Sequence, residues 1–288
     1  MGNSGLITPE YVNTVIKERP TDIHKGQCGR VLIVAGSVGM AGAAVLAARG
    51  ALKSGAGLVK IAADREIFNI LQTAVPQATC MDISKGFPDG SCDIYGAVAV
   101  GPGLGVEKTR YLLIKDLLKY YNGTVVLDAD GINCICEYDK GLQCLKERKH
   151  PVVLTPHPGE ADRLLAALDE KRTAQLGRKN AAELISRMTG TTVLLKGAGT
   201  VVASDRHGTY INTTGNPGMA TGGSGDVLSG VIASLAASGI DPFDAAKCGA
   251  FMHGLAGDIA AEIHGQWGMT AEEIEHSLPA AFKQVVGK

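Results

Sequence analysis

No excess of either charge marks this chain: 28 Lys and Arg stand against 29 Asp and Glu, a formal net charge of −1. That balance argues against a nucleic-acid binder, which carries a basic excess, and it offers no polybasic surface to anionic lipid. Long apolar runs are missing too. The longest, such as Ala41–Ala48, fall far below the ~18 residues that span a bilayer. The start MGNSGLITPE lacks a basic segment followed by an apolar one, so it does not read as a signal peptide. Gly2 invites myristoylation, but that motif wants Ser or Thr where Leu6 stands. The seven cysteines (28, 80, 92, 134, 136, 144, 248) form no CxxC pair, and Cys134-x-Cys136 has the wrong spacing for zinc. Reduced, mostly buried thiols in a cytoplasmic protein are expected. No linker, charge block or repeat divides the 288 residues, so one domain is expected.

Glycine, by contrast, is abundant: 38 residues, nearly twice the usual ~7%. These glycines lack a collagen period and sit among hydrophobic runs, which points to sharp turns and close backbone–ligand approach in a folded protein. Strand patterns are expected at Arg30–Ala35, Leu58–Ala62, Ala97–Val100, Thr124–Leu127, Val152–Thr155, Thr192–Lys196, Val201–Ser204 and Thr209–Asn212, with a hairpin turning through Asp205–Gly208. Helical patterns are expected at Ala41–Ser54, Arg65–Thr73, about Lys108–Tyr121, around Asn180–Met188, and at Gly225–Ser238, Phe243–His264 and Thr270–Val286. Continuous Val/Ile/Leu runs separated by helices predict an α/β fold, a mostly parallel sheet covered on both faces.

In such a sheet ligands bind at the carboxyl ends of the strands. Those ends carry Gly36-Ser37, Gly101–Gly105, Asp128-Ala-Asp130, His157-Pro-Gly-Glu160 and Lys196-Gly-Ala-Gly-Thr200. Each alone reads equally well as a turn; their shared location is the signal. The run Asn212–Asp226 leads directly into the apolar helix Val227–Ser238. Three glycines in the four residues before Asp226 expose bare N–H groups at a helix N-terminus, a cradle for phosphate. Asp226 could merely cap that helix, or it could take a proton from a hydroxyl attacking the phosphate. There is no GxxxxGK[ST] and no HExxH, GPGLG is one position short of GxGxxG, and Asp226 breaks a GxSxG elbow.

Gly223-Ser-Gly-Asp226 before a helix resembles the GxGD anion hole of the ribokinase-like superfamily. Gly29-Arg, Ala35-Gly-Ser37, Gly42-Ala-Ala44, Val100-Gly-Pro-Gly103, Leu127-Asp-Ala-Asp130, Leu154-Thr-Pro-His-Pro-Gly-Glu160, Leu195-Lys-Gly197 and Asn216-Pro-Gly with Gly222–Asp226 are together similar to one family within it. That family is the ADP- or ATP-dependent NAD(P)H-hydrate dehydratases. The matches keep their order from about Gly26 to His264. They imply one ribokinase-like domain over residues 1–288, with its core at about 26–286 and without the epimerase domain fused to many bacterial relatives.

The resemblance implies repair of hydrated NADH or NADPH in the S form. ADP or ATP phosphorylates the added hydroxyl, and loss of phosphate restores the cofactor, with Mg²⁺ assisting. By position it assigns catalysis to Asp226 as base and to the N–H groups of Gly223, Ser224 and Gly225. It assigns the hydrated cofactor to Ala43, Gly103, His157 and Asp226. The nucleotide falls to Lys196, Gly197, Ala198, Gly199, Thr200 and Gly225, although Lys196 also reads as a plain strand end. Direct metal ligands are not assigned; Asp128 and Asp130 would organise Mg²⁺ through water, and Glu160 is a further candidate. His253 reads as packing. A homotetramer is implied, with no nucleic acid or membrane partner. The nearest alternative is a ribokinase-like kinase of a small alcohol or vitamin precursor. A non-catalytic nucleotide sensor is the other, marked by loss of the carboxylate that Asp226 in fact supplies.

Overall fold

Each strand pattern in the sequence forms a strand, because short runs of β-branched and aliphatic residues bury both of their faces between helices. The computed structural model describes residues 4–87 and 91–287, so Gly2 lies outside the described residues. The chain begins β1 (Ser4–Ile7), α1 (Pro9–Val15), β2 (Arg30–Val34), α2 (Ala41–Lys53), β3 (Leu58–Ala63), α3 (Phe68–Ala74), β4 (Thr79–Asp82) and β5 (Ala97–Val100). It continues α4 (Lys108–Tyr120), β6 (Thr124–Leu127), α5 (Ala129–Tyr138), α6 (Gln143–Glu147), β7 (Val152–Leu154), α7 (Pro158–Ala167), α8 (Thr173–Leu176) and α9 (Arg178–Thr189). Last come β8 (Thr192–Leu195), β9 (Val201–Ser204), β10 (Gly208–Asn212), α10 (Ser224–Ala237), α11 (Pro242–Gly268) and α12 (Ala271–Val286).

Among the described residues the strands make one ten-stranded sheet, in the order β1-β10-β9-β8-β7-β6-β5-β2-β3-β4. Only β9 runs against the rest, as the expected hairpin with β10 requires. Side chains alternate along each strand. Val31 and Ile33 therefore join one core with α2, α10, α11 and α12. Leu32 and Val34 join the other, with α4, α5, α7 and α9. Among the described residues no helix is long and apolar enough to cross a membrane.

Two features set where α10 begins. Its Gly230 lies so close to α2 that a Cβ there would stand 2.0 Å from the Ala47 carbonyl oxygen, and a Cβ on Gly50 would stand 2.5 Å from that of Val227. The two helix backbones touch through these glycines, and the N-terminus of α10 is fixed over the strand ends. At the other edge, β1 pairs in parallel with β10, Ser4 opposite Thr209 through Ile7 opposite Asn212. The Tyr11 hydroxyl donates to Asp244 at 2.6 Å, and the rings of Tyr11, Tyr210 and Phe243 surround the Lys247 ammonium at 4.2, 4.4 and 4.6 Å. Such cation–π contacts tie the N-terminal segment to α11.

Candidate active site

The strand ends meet where the sequence places its unusual residues. Gly101 ends β5 at φ +127°, and a Cβ there would fall 1.9 Å from the Asp128 carbonyl oxygen. Only a glycine lets the β5 turn and the β6 turn press together. Gly101→Ala is accordingly expected to cost about 3 kcal/mol or more of stability, to be read by chemical denaturation. Ala129, beside Asp128, holds φ +46° although it is not glycine. Strain of this kind persists where the surroundings over-determine it.

Asp128 is buried. Its Oδ1 accepts from the Lys196 ammonium at 2.7 Å, and its Oδ2 accepts from the Ser229 hydroxyl on α10 at 2.6 Å. Lys196 also stands 4.0 Å from Glu160, which is buried as well. Burial opposes the charge on Lys196, but Asp128, Glu160 and Asp226 outweigh it and hold the ammonium above its ordinary value. Burial lifts the Glu160 carboxyl, more than Lys196 lowers it.

Helix α10 starts without a side-chain cap. Its N-cap is Gly223 at φ +88°, where a Cβ would come 2.3 Å from Leu46 Cδ1. Asp226 sits in the first turn yet makes no capping bond, so the capping alternative does not hold. The Ser224 N–H makes only a long 3.5 Å contact to the Thr221 carbonyl, so the N–H groups of Gly223 and Gly225 and the positive end of the helix dipole are left for an anion. Burial, reinforced by Asp128 and eased by Lys196, pushes Asp226 up to about 7. That value suits a carboxylate that must both hold and release a proton near neutrality. A Cβ on Gly225 would stand 3.1 Å from the Lys196 ammonium, which places this cation at the mouth of the cradle.

The remaining expected residues lie at the start of α2 and the turn after β5, at the start of α7, and in the loop after β8. Ala43, in the first turn of α2, meets Gly103: a Cβ added to Gly103 would be 2.9 Å from that of Ala43 and 2.9 Å from the Met40 carbonyl oxygen. The Ser37 hydroxyl donates to the Gly103 carbonyl at 2.9 Å, and the Gly36 N–H to that of Pro102 at 2.8 Å. His157 is half-exposed and caps α7. Its Nδ1 accepts from the N–H groups of Gly159 (3.0 Å) and Glu160 (3.3 Å), while Glu160 accepts from the His157 N–H at 2.8 Å. That arrangement leaves the imidazole proton on Nε2. Loop 197–200 follows Lys196, with the Thr200 hydroxyl donating to the Gly197 carbonyl at 3.0 Å.

Three functional candidates were not legible in the sequence. Ser229 locks Asp128 to α10, but a serine inside an apolar helix gives no such signal. Arg178, at the start of the neighbouring helix α9, binds the carbonyls of Ala198 and Gly199. His253, read as packing, is buried as expected, but its Nε2 also stands 3.4 Å from the Ser224 hydroxyl, and burial drops its pKa to about 4. Asp130 accepts from the Gly105 N–H at 2.8 Å and so holds the GPGLG turn.

Among the described residues no group of three or more His, Cys, Asp or Glu side chains is placed to enclose a metal ion. A Mg²⁺ carried on nucleotide phosphates needs only one or two protein carboxylates. Three carboxylates around one ammonium leave surplus negative charge at the strand ends, which fits such an ion.

The family model for NAD(P)H-hydrate dehydratase matches residues 31–280. The chain belongs to that family. It is 40% identical over 278 residues to the ADP-dependent (S)-NAD(P)H-hydrate dehydratase of Neisseria meningitidis, covering 93% of this chain and 88% of that protein. It is also 40% identical over 294 residues to a bifunctional NAD(P)H-hydrate repair enzyme of Moorella thermoacetica, covering 98% of this chain and 54% of that one. The chain thus spans about half the length of the bifunctional relatives it matches. The crystal structure of the ADP/ATP-dependent NAD(P)H-hydrate dehydratase of Bacillus subtilis, co-crystallised with ATP and Mg²⁺, superposes with TM-score 0.86 at 30% identity, over 98% of this chain and 99% of that one. The fold of this NAD(P)H-hydrate dehydratase family member is ribokinase-like, as its solved neighbours are.

Proposed function

We propose that this chain dehydrates the S form of hydrated NADH or NADPH, using ADP or ATP as phosphoryl donor. The observation that carries the reading is Asp226, poised at about 7 in the uncapped first turn of α10, with Lys196 beside it. Asp226 takes the proton of the hydroxyl added to the nicotinamide ring as that oxygen attacks the terminal phosphorus. The N–H groups of Gly223, Ser224 and Gly225 face the charge that develops on the transferring group, and Lys196 adds a fixed cation. AMP or ADP leaves. The ring carbon–oxygen bond of the phosphate ester then breaks, phosphate departs with the bonding electrons, and loss of the ring proton restores the reduced nicotinamide. Hydroxide is a poor leaving group and phosphate a far better one, which is why a kinase-like site can serve a dehydration.

Ala43, Gly103 and His157 hold the hydrated ring side of the site, and Lys196 to Thr200 with Gly225 hold the nucleotide. Mg²⁺ would neutralise phosphate charge when bound, and Asp128 and Asp130, with Glu160 as a further candidate, are the carboxylates that would organise it through water. Co-crystallisation of the Bacillus subtilis relative with ATP and Mg²⁺ supports a nucleotide donor and Mg²⁺, without assigning them to particular residues. The cytoplasmic homotetramer implied by the resemblance belongs to the same proposal.

The test mixes purified protein, hydrated NADH and Mg²⁺ with ADP or ATP in separate cuvettes and follows near-ultraviolet absorbance. A rise identifies the dehydratase and names its donor. A stable phosphate ester with no rise would establish a small-alcohol kinase instead, and no product in either cuvette would sink both readings.

A further inference from the structure

Arg178 opens α9, eighteen residues ahead of the loop expected to hold the nucleotide. Its Nη1 donates to the Ala198 carbonyl at 2.5 Å and its Nη2 to the Gly199 carbonyl at 2.7 Å. A Cβ on Gly197 would meet the same guanidinium at 3.2 Å, and Gly197 and Gly199 hold φ +138° and +60°. One planar fork thus grips two successive carbonyls of a loop whose backbone only glycine adopts with ease.

The consequence follows from peptide geometry. In a trans peptide the C=O and N–H of one unit point in opposite directions. Turning the Ala198 and Gly199 carbonyls toward Arg178 therefore turns the N–H groups of Gly199 and Thr200 away from it. Among the described residues neither N–H has an acceptor outside the sheet ladders. Two adjacent outward donors form a small anion-binding concavity. The loop follows directly on Lys196, whose ammonium stands at the N-terminus of α10.

We propose that Arg178 is a positioning residue for the nucleotide. It does not touch the ligand but holds the Gly199 and Thr200 N–H groups ready for the oxygens of a nucleoside di- or triphosphate. This rests on the reading of residues 196–200 as the nucleotide site. The guanidinium is partly buried, and burial pulls its pKa below the usual arginine value; Nη1 and Nη2 go to the two loop carbonyls, while Nε is buried without a partner.

The experiment compares wild type, Arg178→Ala and Arg178→Lys by steady-state kinetics, and by hydrogen exchange of the 197–200 segment with and without saturating ADP or ATP. In Arg178→Ala the KM for nucleotide should rise about tenfold, with kcat and the KM for hydrated NADH within twofold of wild type. Arg178→Lys, with one point donor in place of a fork, should fall between. The Gly199 and Thr200 amides should exchange faster in the free Arg178→Ala protein. An unchanged nucleotide KM would overturn the proposal. So would a fall in kcat and Tm together at constant KM, the mark of a purely structural role. Absence of nucleotide protection of this segment in the wild type would instead overturn the assignment of the loop itself.

Discussion

Asp226→Asn should lower kcat by about 10³-fold or more, within the range expected when a positioned base is removed, while leaving nucleotide affinity nearly intact. In the wild type, kcat/KM should rise with pH through about 7, because the free enzyme must hold Asp226 ionised and burial places its pKa there. Stability moves the opposite way. The folded pKa of about 7 lies above the ordinary aspartate value of ~3.9, so the folded state binds the extra proton between those limits. The stability that this proton contributes is complete below pH ~4 and is lost as pH rises through 7. Asparagine carries no charge to bury. The variant should therefore melt higher than wild type at pH 8 and alike near pH 4. Differential scanning calorimetry beside the coupled absorbance assay checks both parts. A variant that keeps its turnover would remove Asp226 from the chemistry, and one that also melts low would mark a misfolded protein.

Lys196→Met should have the second largest effect. The ammonium is the shared partner of Asp128, Glu160 and Asp226, and its loss leaves buried carboxylates without a counter-charge. Breaking a buried pair from one side costs about 3–5 kcal/mol. The deficit should be greatest above pH 7 and shrink toward pH 5, because the orphaned carboxylates can then be protonated. Lys196 also lowers the pKa of Asp226, so the acid limb of kcat/KM should move above 7. Turnover at pH 7 should fall by about 10²–10³-fold, as when one charge-stabilising donor is removed from a transition state. Lys196→Arg keeps the charge but not the point geometry, and should recover stability more fully than rate. Denaturant titration at two pH values and a pH–rate profile separate these effects. If neither moved, Lys196 would revert to the plain strand end that its sequence position also allows.

The residues that carry these predictions were visible in the chain for local reasons. Val, Ile and Leu runs mark strands wherever both faces are buried. The glycines before Asp226 mark a turn whose backbone must stay bare. Elements that begin inside a motif were harder to see. Helices α5 and α7 start at Asp128-Ala-Asp130 and at His157-Pro-Gly-Glu160, so those residues read as turns although they are helix starts. Strand β1 is only Ser-Gly-Leu-Ile, too short and too mixed to show a period. It exists because β10 offers an open edge and because Tyr11 and Lys247 anchor the helix behind it.

By itself the sequence determined the α/β order, the placement of its unusual residues at strand ends, and the Gly-rich entry to α10. Each of these follows from the conformational preferences of neighbouring residues. Only the tertiary structure decided that Lys196 meets Asp128 across 68 positions, that Ser229 holds Asp128 to α10, and that Arg178 grips the loop at 198–199. Only it set Asp226 near 7. A pKa and a buried ion pair depend on how much water is excluded and on which charges the fold brings within a few ångströms, and neither quantity exists until the strands have been ordered and the helices laid against them.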